Sequence, residues 1–141
     1  MSELRSAIDA YRAESLPELP DALAEEGFAE LCRASELIEL EKLRRLADLE
    51  RRGVFAHDGH LSVAAWLAQR FGVADGAAVG AAKLARSLHE MPATTGAIES
   101  GDVSLSAARV LVAARHADPE AFARDEGSLV EAAQVHSVGE L

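Results

Sequence analysis

The sequence predicts an all-α fold, a single multi-helix domain with a long N-terminal helix and a helix-turn-helix-like core. Apolar residues make up 49% of the chain and aromatic residues only 4%. Alanine and leucine dominate, a composition typical of helices that pack through small side chains. Apolar residues also recur at steps of three and four, and proline and glycine stand where helices would begin or end.

The first part of the chain predicts a short helix, a break and a long helix. Residues 3–14 form the short helix, and the prolines of the segment SLPELP (15–20) break it. Asp21 is expected to cap the next element by accepting a backbone N–H. We therefore expect residues 1–20 to be a short helix with a linker and residues 21–141 to be the helical domain.

An apolar stripe with supporting charge pairs predicts one long helix over residues 22–52. This helix is either continuous or split near Gly27, and Gly53 stops it. It serves either as a core-packing element or as a dimer seam.

Residues 53–60 (GVFAHDGH) are predicted to form a loop that contains His57, Asp58 and His60. A metal site needs three or four converging ligands, and the single cysteine, Cys32, lies elsewhere in the sequence. We therefore expect no metal and no cofactor, and we interpret the histidines as capping or hydrogen-bonding the following helix.

The stretch 60–88 is the segment around which the rest of the chain is organised. Ser62 caps a first helix and Gly72 ends it, and Asp75 is expected to cap a second helix. Two short helices joined by about four residues form a helix-turn-helix pattern, although antiparallel helix pairs are common in any bundle. The expected apolar faces are Val63, Trp66, Leu67 and Phe71 on the first helix and Ala77, Ala81, Leu84, Ala85 and Leu88 on the second.

Further helices follow to the end of the chain. A short helix is expected at 93–99, and Ser104 caps the next one, which places Leu105, Ala108, Leu111 and Val112 inward. Asp118-Pro119 starts a helix that Gly127 ends, and the pair Ser128 and Glu131 starts another. The segment 137–140 repeats this capping spacing with no helix behind it. It is either a frayed tail or the mark of a chain cut short relative to a longer relative.

The net charge of −10 argues against a strong nucleic-acid binder. Residues 1–50 hold 13 acids and 6 bases, residues 51–115 hold 5 acids and 7 bases, and residues 116–141 hold 6 acids and 1 base. The helix-turn-helix segment therefore lies in the part with net charge +2. So small a positive charge predicts only weak electrostatic attraction to DNA phosphates. No apolar run approaches the roughly 20 residues of a membrane span, so we expect a cytoplasmic protein without a membrane partner.

Three segments carry a family resemblance: LADLERRG (46–53), DGHLSVAAWLAQRFGV (58–73) and AKLARSLHEMPATTGAIESGDVSLSAARVLVAA (82–114). The region from Leu37 to Leu141 thereby resembles the actinobacterial domain of unknown function 222, the 13E12-repeat family. That resemblance implies a domain that commonly precedes an HNH nuclease domain, in DNA processing or mobile elements. Residues 66–114 are also similar in layout to the helix-turn-helix region of ParB-type partition proteins.

Two departures from these families bear on function. An HNH site needs histidines with an asparagine or equivalent around a metal, and this chain has no asparagine, so we expect no enzymatic activity. The outward face of the second helix of the pair carries Gly76, Val79, Lys83 and Arg86, so its first turn offers a base no hydrogen-bonding side chain. The candidate contacts to DNA phosphates are Arg70, Lys83, Arg86, Arg109 and Arg115.

Two hypotheses of function follow. The first is a non-catalytic, DNA-associated helical module that binds double-stranded DNA weakly, and it requires those five cations on one exposed face, clear of the acidic helix. The second is a protein-interaction or oligomerisation module, such as a homodimer, that uses the long acidic helix 22–52. It requires an exposed apolar stripe on that helix. A truncated relic without function is the remaining alternative.

Overall fold

The computed structural model of the chain describes residues 2–135, and over that range the fold is all-α, as predicted, with no strand. A short 3-10 turn, Leu16–Glu18, separates the first two helices. The helices are α1 (Glu3–Arg12), α2 (Asp21–Arg52), α3 (Val54–His57), α4 (Val63–Phe71), α5 (Asp75–His89), α6 (Pro92–Ser100), α7 (Leu105–Ala117) and α8 (Pro119–Val135).

The chain divides into two compact units, Met1–Ala34 and Ser35–Leu141, with the boundary inside α2. We call the described part of the first, residues 2–34, the N-terminal unit, and that of the second, residues 35–135, the core unit. The division expected after residue 20 stays a prediction of domain organisation.

The start of α2 differs from the prediction. Asp21 is the first helical residue rather than the cap, because the carbonyl of Pro20 already accepts the N–H groups of Leu23 and Ala24, both at 3.0 Å. Its carboxylate still suits the positive end of the helix dipole. The helix is not split near Gly27, since a single glycine costs only about 1 kcal/mol relative to alanine in a helix.

The core unit contains every buried apolar side chain in the described range. The second half of α2 contributes Leu40, Leu43 and Leu46, and the remaining helices pack in adjacent pairs, α4 on α5 and α7 on α8, with α6 against α5, α7 and α8. The side chains of Met91, Ile98, Val63 and Thr94 are the largest that are fully buried.

The helix-turn-helix pair is present as α4 and α5. Ser62 Oγ accepts the N–H of Ala65 at 3.1 Å, and Gly72 ends α4 with a φ of +68°, both as predicted. Asp75, however, is the first residue of α5 and not its cap, because Ala74 occupies the capping position and makes no side-chain bond there.

The apolar face of α5 is rotated from the predicted one. Leu84, Ala85 and Leu88 are buried as expected, and Ala81 is partly buried against the core. Ala78 and Ala82 are also buried, whereas Ala77 is exposed. Phe71 of α4 is also 59% exposed and lies edge-to-face against the buried Trp66, with ring centroids 5.2 Å apart. These shifts expose apolar atoms that periodicity alone assigned to the core.

Two further predictions are wrong. The expected loop 53–60 contains the short helix α3, which starts after Gly53 with a φ of +69°. The expected break at Gly127 and the new start at Ser128 are absent, and α8 runs through both residues. Phe122 and Val130 are buried on either side of Gly127, so packing outweighs the modest cost of a helical glycine. The segment 137–140 lies outside the described residues.

Carboxylates tie the helices of the core unit together. Glu36 of α2 accepts the first N–H of α7, from Leu105, at 2.8 Å. Glu126 of α8 accepts both the N–H and the hydroxyl of the buried Thr94 on α6, at 3.0 and 3.2 Å. Both carboxylates satisfy donors in the first turn of another helix, where negative charge is also favoured by the helix dipole.

Candidate functional site

A groove of about 1010 Å³ opens on the core unit, between the second half of α2 and helices α4, α5 and α7. Its floor is apolar and built largely from buried side chains. The floor residues are Leu43, Leu46, Trp66, Leu67, Leu84 and Val112. Because these atoms already belong to the core, the floor is fixed by the same packing that holds the fold.

The rim of this groove is basic. Four cations, Lys42, Arg45, Lys83 and Arg109, border it together with His116, and Glu39 is the one acid among the lining residues. The groove therefore carries a net charge of +3 with histidine neutral, in a chain whose net charge is −10. This contrast between apolar floor and basic rim is the clearest chemical feature of the core unit.

Two of the five predicted phosphate contacts are paired with carboxylates. Arg86 Nε donates to Glu50 Oε1 of α2 at 2.8 Å, and that carboxylate raises the pKa of the guanidinium. Arg115 is paired with Glu90. DNA binding requires cations that are clear of acidic groups, and neither arginine meets that condition.

The other three candidates make no ion pair with a described residue. Lys83 of α5 and Arg109 of α7 both line the groove. Arg70 lies at the end of α4, with Cζ 5.9 Å from the ring centroid of Phe71. Gly76 and Val79 of α5 are exposed, as predicted for its outward face. The structure thus brings two of the five predicted residues together in one place.

The N-terminal unit presents a different surface. None of the residues from Ser2 to Ala34 is buried. This segment nevertheless contains six large apolar side chains that are more than two-fifths exposed: Leu4, Ile8, Leu16, Leu23, Phe28 and Leu31. It also holds 8 acids and 3 bases, so an uncovered apolar surface lies within a strongly acidic segment.

Exposed ion pairs line the second half of α2. Glu41 accepts from Arg44 and Arg45 at 2.7–2.9 Å, and these two guanidinium groups lower its pKa to about 2. Asp48 accepts from Arg51 and Arg52, and the pKa of its carboxyl is lowered for the same reason. These (i, i+3) and (i, i+4) pairs are typical of a solvated helix face.

In the segment that contains His57 and His60, Asp58 has a structural role that the sequence analysis did not indicate. Asp58 Oδ2 accepts the indole N–H of Trp66 at 2.8 Å, so the acid between the two histidines anchors the buried tryptophan of α4. Across residues 2–135, no three His, Cys, Asp or Glu side chains come together in a metal-binding arrangement.

Sequence reasoning missed the parts of the groove contributed by other helices. Lys42 and Arg45 lie on an acidic helix, and the sequence indicated a solvated face there. Gly80 lines the groove wall on α5, where a Cβ atom would meet nothing within 4 Å. The free space at Gly80 depends on how α2 and α5 are spaced, which the local sequence does not indicate.

Comparison with known proteins finds one family. The family model described as a domain of unknown function, DUF222, matches residues 22–141. No curated protein and no solved structure matches the chain. In the described residues, no helix combines the length and the apolar character needed to cross a membrane.

Proposed function

This chain belongs to the DUF222 family, and we propose that it is a non-catalytic interaction module that associates with a second copy through its N-terminal unit. The observation that carries the proposal is the burial pattern, since no residue from Ser2 to Ala34 is buried although six large apolar side chains lie there.

The energetics favour a partner for this surface. Fully burying a leucine or phenylalanine side chain stabilises by about 1.5–3 kcal/mol, while ordering each backbone residue costs about 1–2 kcal/mol. A helical unit with no buried side chain recovers little of that cost within its own chain. Association that covers Phe28 and Leu31 on α2 would supply the missing burial.

Phe28 and Leu31 are suited to helix–helix contact. They lie three residues apart on α2 and so share one face of the helix, with side chains 70% and 44% exposed. Side chains at that spacing can enter the groove of a facing helix. This is the exposed apolar stripe that the interaction hypothesis requires of residues 22–52.

Sedimentation velocity over a wide concentration range tests the proposal. We expect reversible self-association that strengthens with added salt, because salt screens the repulsion between two acidic N-terminal units. Phe28→Glu combined with Leu31→Glu is expected to leave the protein monomeric under every condition.

Val79→Glu is the matched control, since Val79 is also exposed, at 59%, but lies in the core unit. It is expected to leave association unchanged. A wild-type chain that stays monomeric at every concentration and salt would refute the proposal, as would association that survives the double substitution.

A second candidate function is weak association with double-stranded DNA. It is favoured by Lys83 and Arg109, which line the same groove and have no ion pair with a described residue. It is also favoured by the resemblance to a domain that commonly precedes HNH nucleases. Phosphate contacts from two cations predict weak binding with a shallow salt dependence.

Duplex binding measured at several salt concentrations tests this candidate. Lys83→Ala with Arg109→Ala is expected to lower the affinity and the salt slope together, while Lys83→Ala with Arg86→Ala is expected to lower them less because Arg86 is already paired with Glu50. Absence of binding at low salt would rule the candidate out. Incubation with magnesium is expected to leave the DNA uncut.

A further inference from the structure

The basic-rimmed groove of the core unit is distinct from the surface on which the proposed self-association depends. It is lined only by residues of α2 beyond Ser35, α4, α5, α7 and the turn between α4 and α5. Its apolar floor and its excess of positive charge call for an occupant that is apolar on one side and acidic on the other.

The rim is available for such an occupant. Lys83 and Arg109 have no ion pair with a described residue, and Lys42 and Arg45 are paired only with neighbours on α2 at exposed positions. Exposed pairs of this kind contribute little to stability. They can therefore rearrange toward an incoming carboxylate at little cost.

The wall of the groove permits close approach of another backbone. Ala77, Gly80 and Ala81 of α5 lie along it, and no atom outside the local helix backbone comes within 4 Å of a Cβ placed at Gly80. Phe71 stands exposed beside them and supplies an aromatic contact. A volume of about 1010 Å³ is at the upper end for small-molecule pockets and suits an amphipathic helix laid in a hydrophobic groove.

We propose that this groove binds an amphipathic helix of a partner protein, with its apolar face on the floor and acidic residues against Lys42, Arg45, Lys83 and Arg109. Charge complementarity selects this occupant, since one acid and four cations border the groove. The inference does not rest on the self-association proposed above, and the two respond oppositely to salt. Salt weakens binding at the groove and strengthens association of the acidic N-terminal units.

The probe is a pair of synthetic helical peptides about 18 residues long, five turns of helix. Both carry leucine at steps of three and four, and the remaining positions are mainly glutamate in one peptide and lysine in the other. Fluorescence anisotropy with the full chain is expected to show at least about tenfold tighter binding of the acidic peptide, a difference of about 1.4 kcal/mol. The preference is expected to shrink as salt is added.

Gly80→Trp tests the location, because the indole would fill the groove from its wall. It is expected to lower the affinity for the acidic peptide by about tenfold or more. Gly127→Trp is the matched control, since Gly127 is also an exposed helical glycine with nothing within 4 Å of a Cβ, and it lies on α8 away from the groove. Circular dichroism and the unfolding midpoint establish that both variants fold.

The charge test compares two double substitutions that change the net charge equally. Lys83→Glu with Arg109→Glu is expected to abolish the preference for the acidic peptide. Arg12→Glu with Arg124→Glu, at two residues that do not line the groove, is expected to leave most of it. Equal binding of the acidic and basic peptides would overturn the proposal, as would full binding by folded Gly80→Trp. Self-association that weakens with added salt and is lost in Gly80→Trp would also overturn the proposal. The occupant of the groove would then be a second copy of this chain.

Discussion

The two halves of α2 carry similar residues and differ in what covers them. Leu31, in the N-terminal unit, is 44% exposed, whereas Leu43, in the core unit, is 3% exposed. Both fit an apolar stripe at helical spacing. Such a stripe indicates which face of a helix is to be covered, and the covering element decides whether the residue stabilises the monomer or an assembly.

Substitution of these two leucines by alanine is expected to distinguish the two halves of α2 most clearly. Leu43→Ala is expected to lower the free energy of unfolding of the monomer by about 2–5 kcal/mol, because it opens a cavity in the core. Leu31→Ala is expected to change it by less than about 0.5 kcal/mol, as for other surface sites. Urea unfolding at high dilution measures both, and equal losses would contradict the proposed division of roles.

The hydrogen bonds between α8 and α6 within the core unit are expected to have the next largest effect on stability. Glu126→Ala is expected to cost about 1–3 kcal/mol, because the N–H and the hydroxyl of the fully buried Thr94 lose their acceptor. Glu131→Ala, at an exposed position on the same helix, is the control and is expected to have almost no effect on the unfolding midpoint. A midpoint unchanged in Glu126→Ala would mean that solvent replaces the carboxylate.

Two serine caps have the same hydrogen-bond length but lie in different units. Ser2 and Ser62 each accept an N–H at 3.1 Å, from Arg5 and Ala65. Ser62→Ala is expected to cost about 1 kcal/mol of global stability, since α4 is packed into the core. Ser2→Ala is expected to reduce only the helicity of α1. Parallel urea unfolding and amide exchange would separate the two, and an equal global loss would show that α1 contributes to the monomer's cooperative fold.

Glu41, whose pKa is lowered from 4.5 to about 2 by Arg44 and Arg45, is expected to affect stability least. A lowered carboxyl pKa adds stability that is present above the unfolded value of 4.5 and is lost as the pH falls toward 2. The effect is slight because the pairs are exposed. A carboxyl titration followed by NMR is expected to show the pKa returning toward 4.5 in Arg44→Ala/Arg45→Ala, and an unchanged value would exclude this cause.

Most of the fold was predictable because helices depend on local signals. Ser62, Gly72 and Ser104 act as predicted, since a cap or a left-handed glycine involves only neighbouring residues. Predictions failed where packing outweighed the local signal. Gly127 and Ser128 indicated the end of one helix and the start of another. Phe122 and Val130 are nevertheless both buried, and α8 is continuous between them.

The candidate site was less predictable, because it depends on contacts between distant residues. Lys83 and Arg109 were identified as cations, but their meeting with Lys42 and Arg45 around one groove follows from how α2, α5 and α7 pack. Arg86 and Arg115 looked equally suited to phosphate from the sequence, and their carboxylate partners Glu50 and Glu90 lie 36 and 25 residues away along the chain.

We propose that the exposed apolar side chains of the N-terminal unit become covered when it associates with a second copy. Amide hydrogen exchange, at high dilution and again at high concentration, tests this most directly. At dilution, amides of residues 3–30 are expected to exchange far faster than those of α7, whose inward residues Ala108 and Leu111 are buried, and at high concentration residues 3–30 are expected to become protected. Protection of residues 3–30 equal to that of α7 in the dilute monomer would contradict the claim.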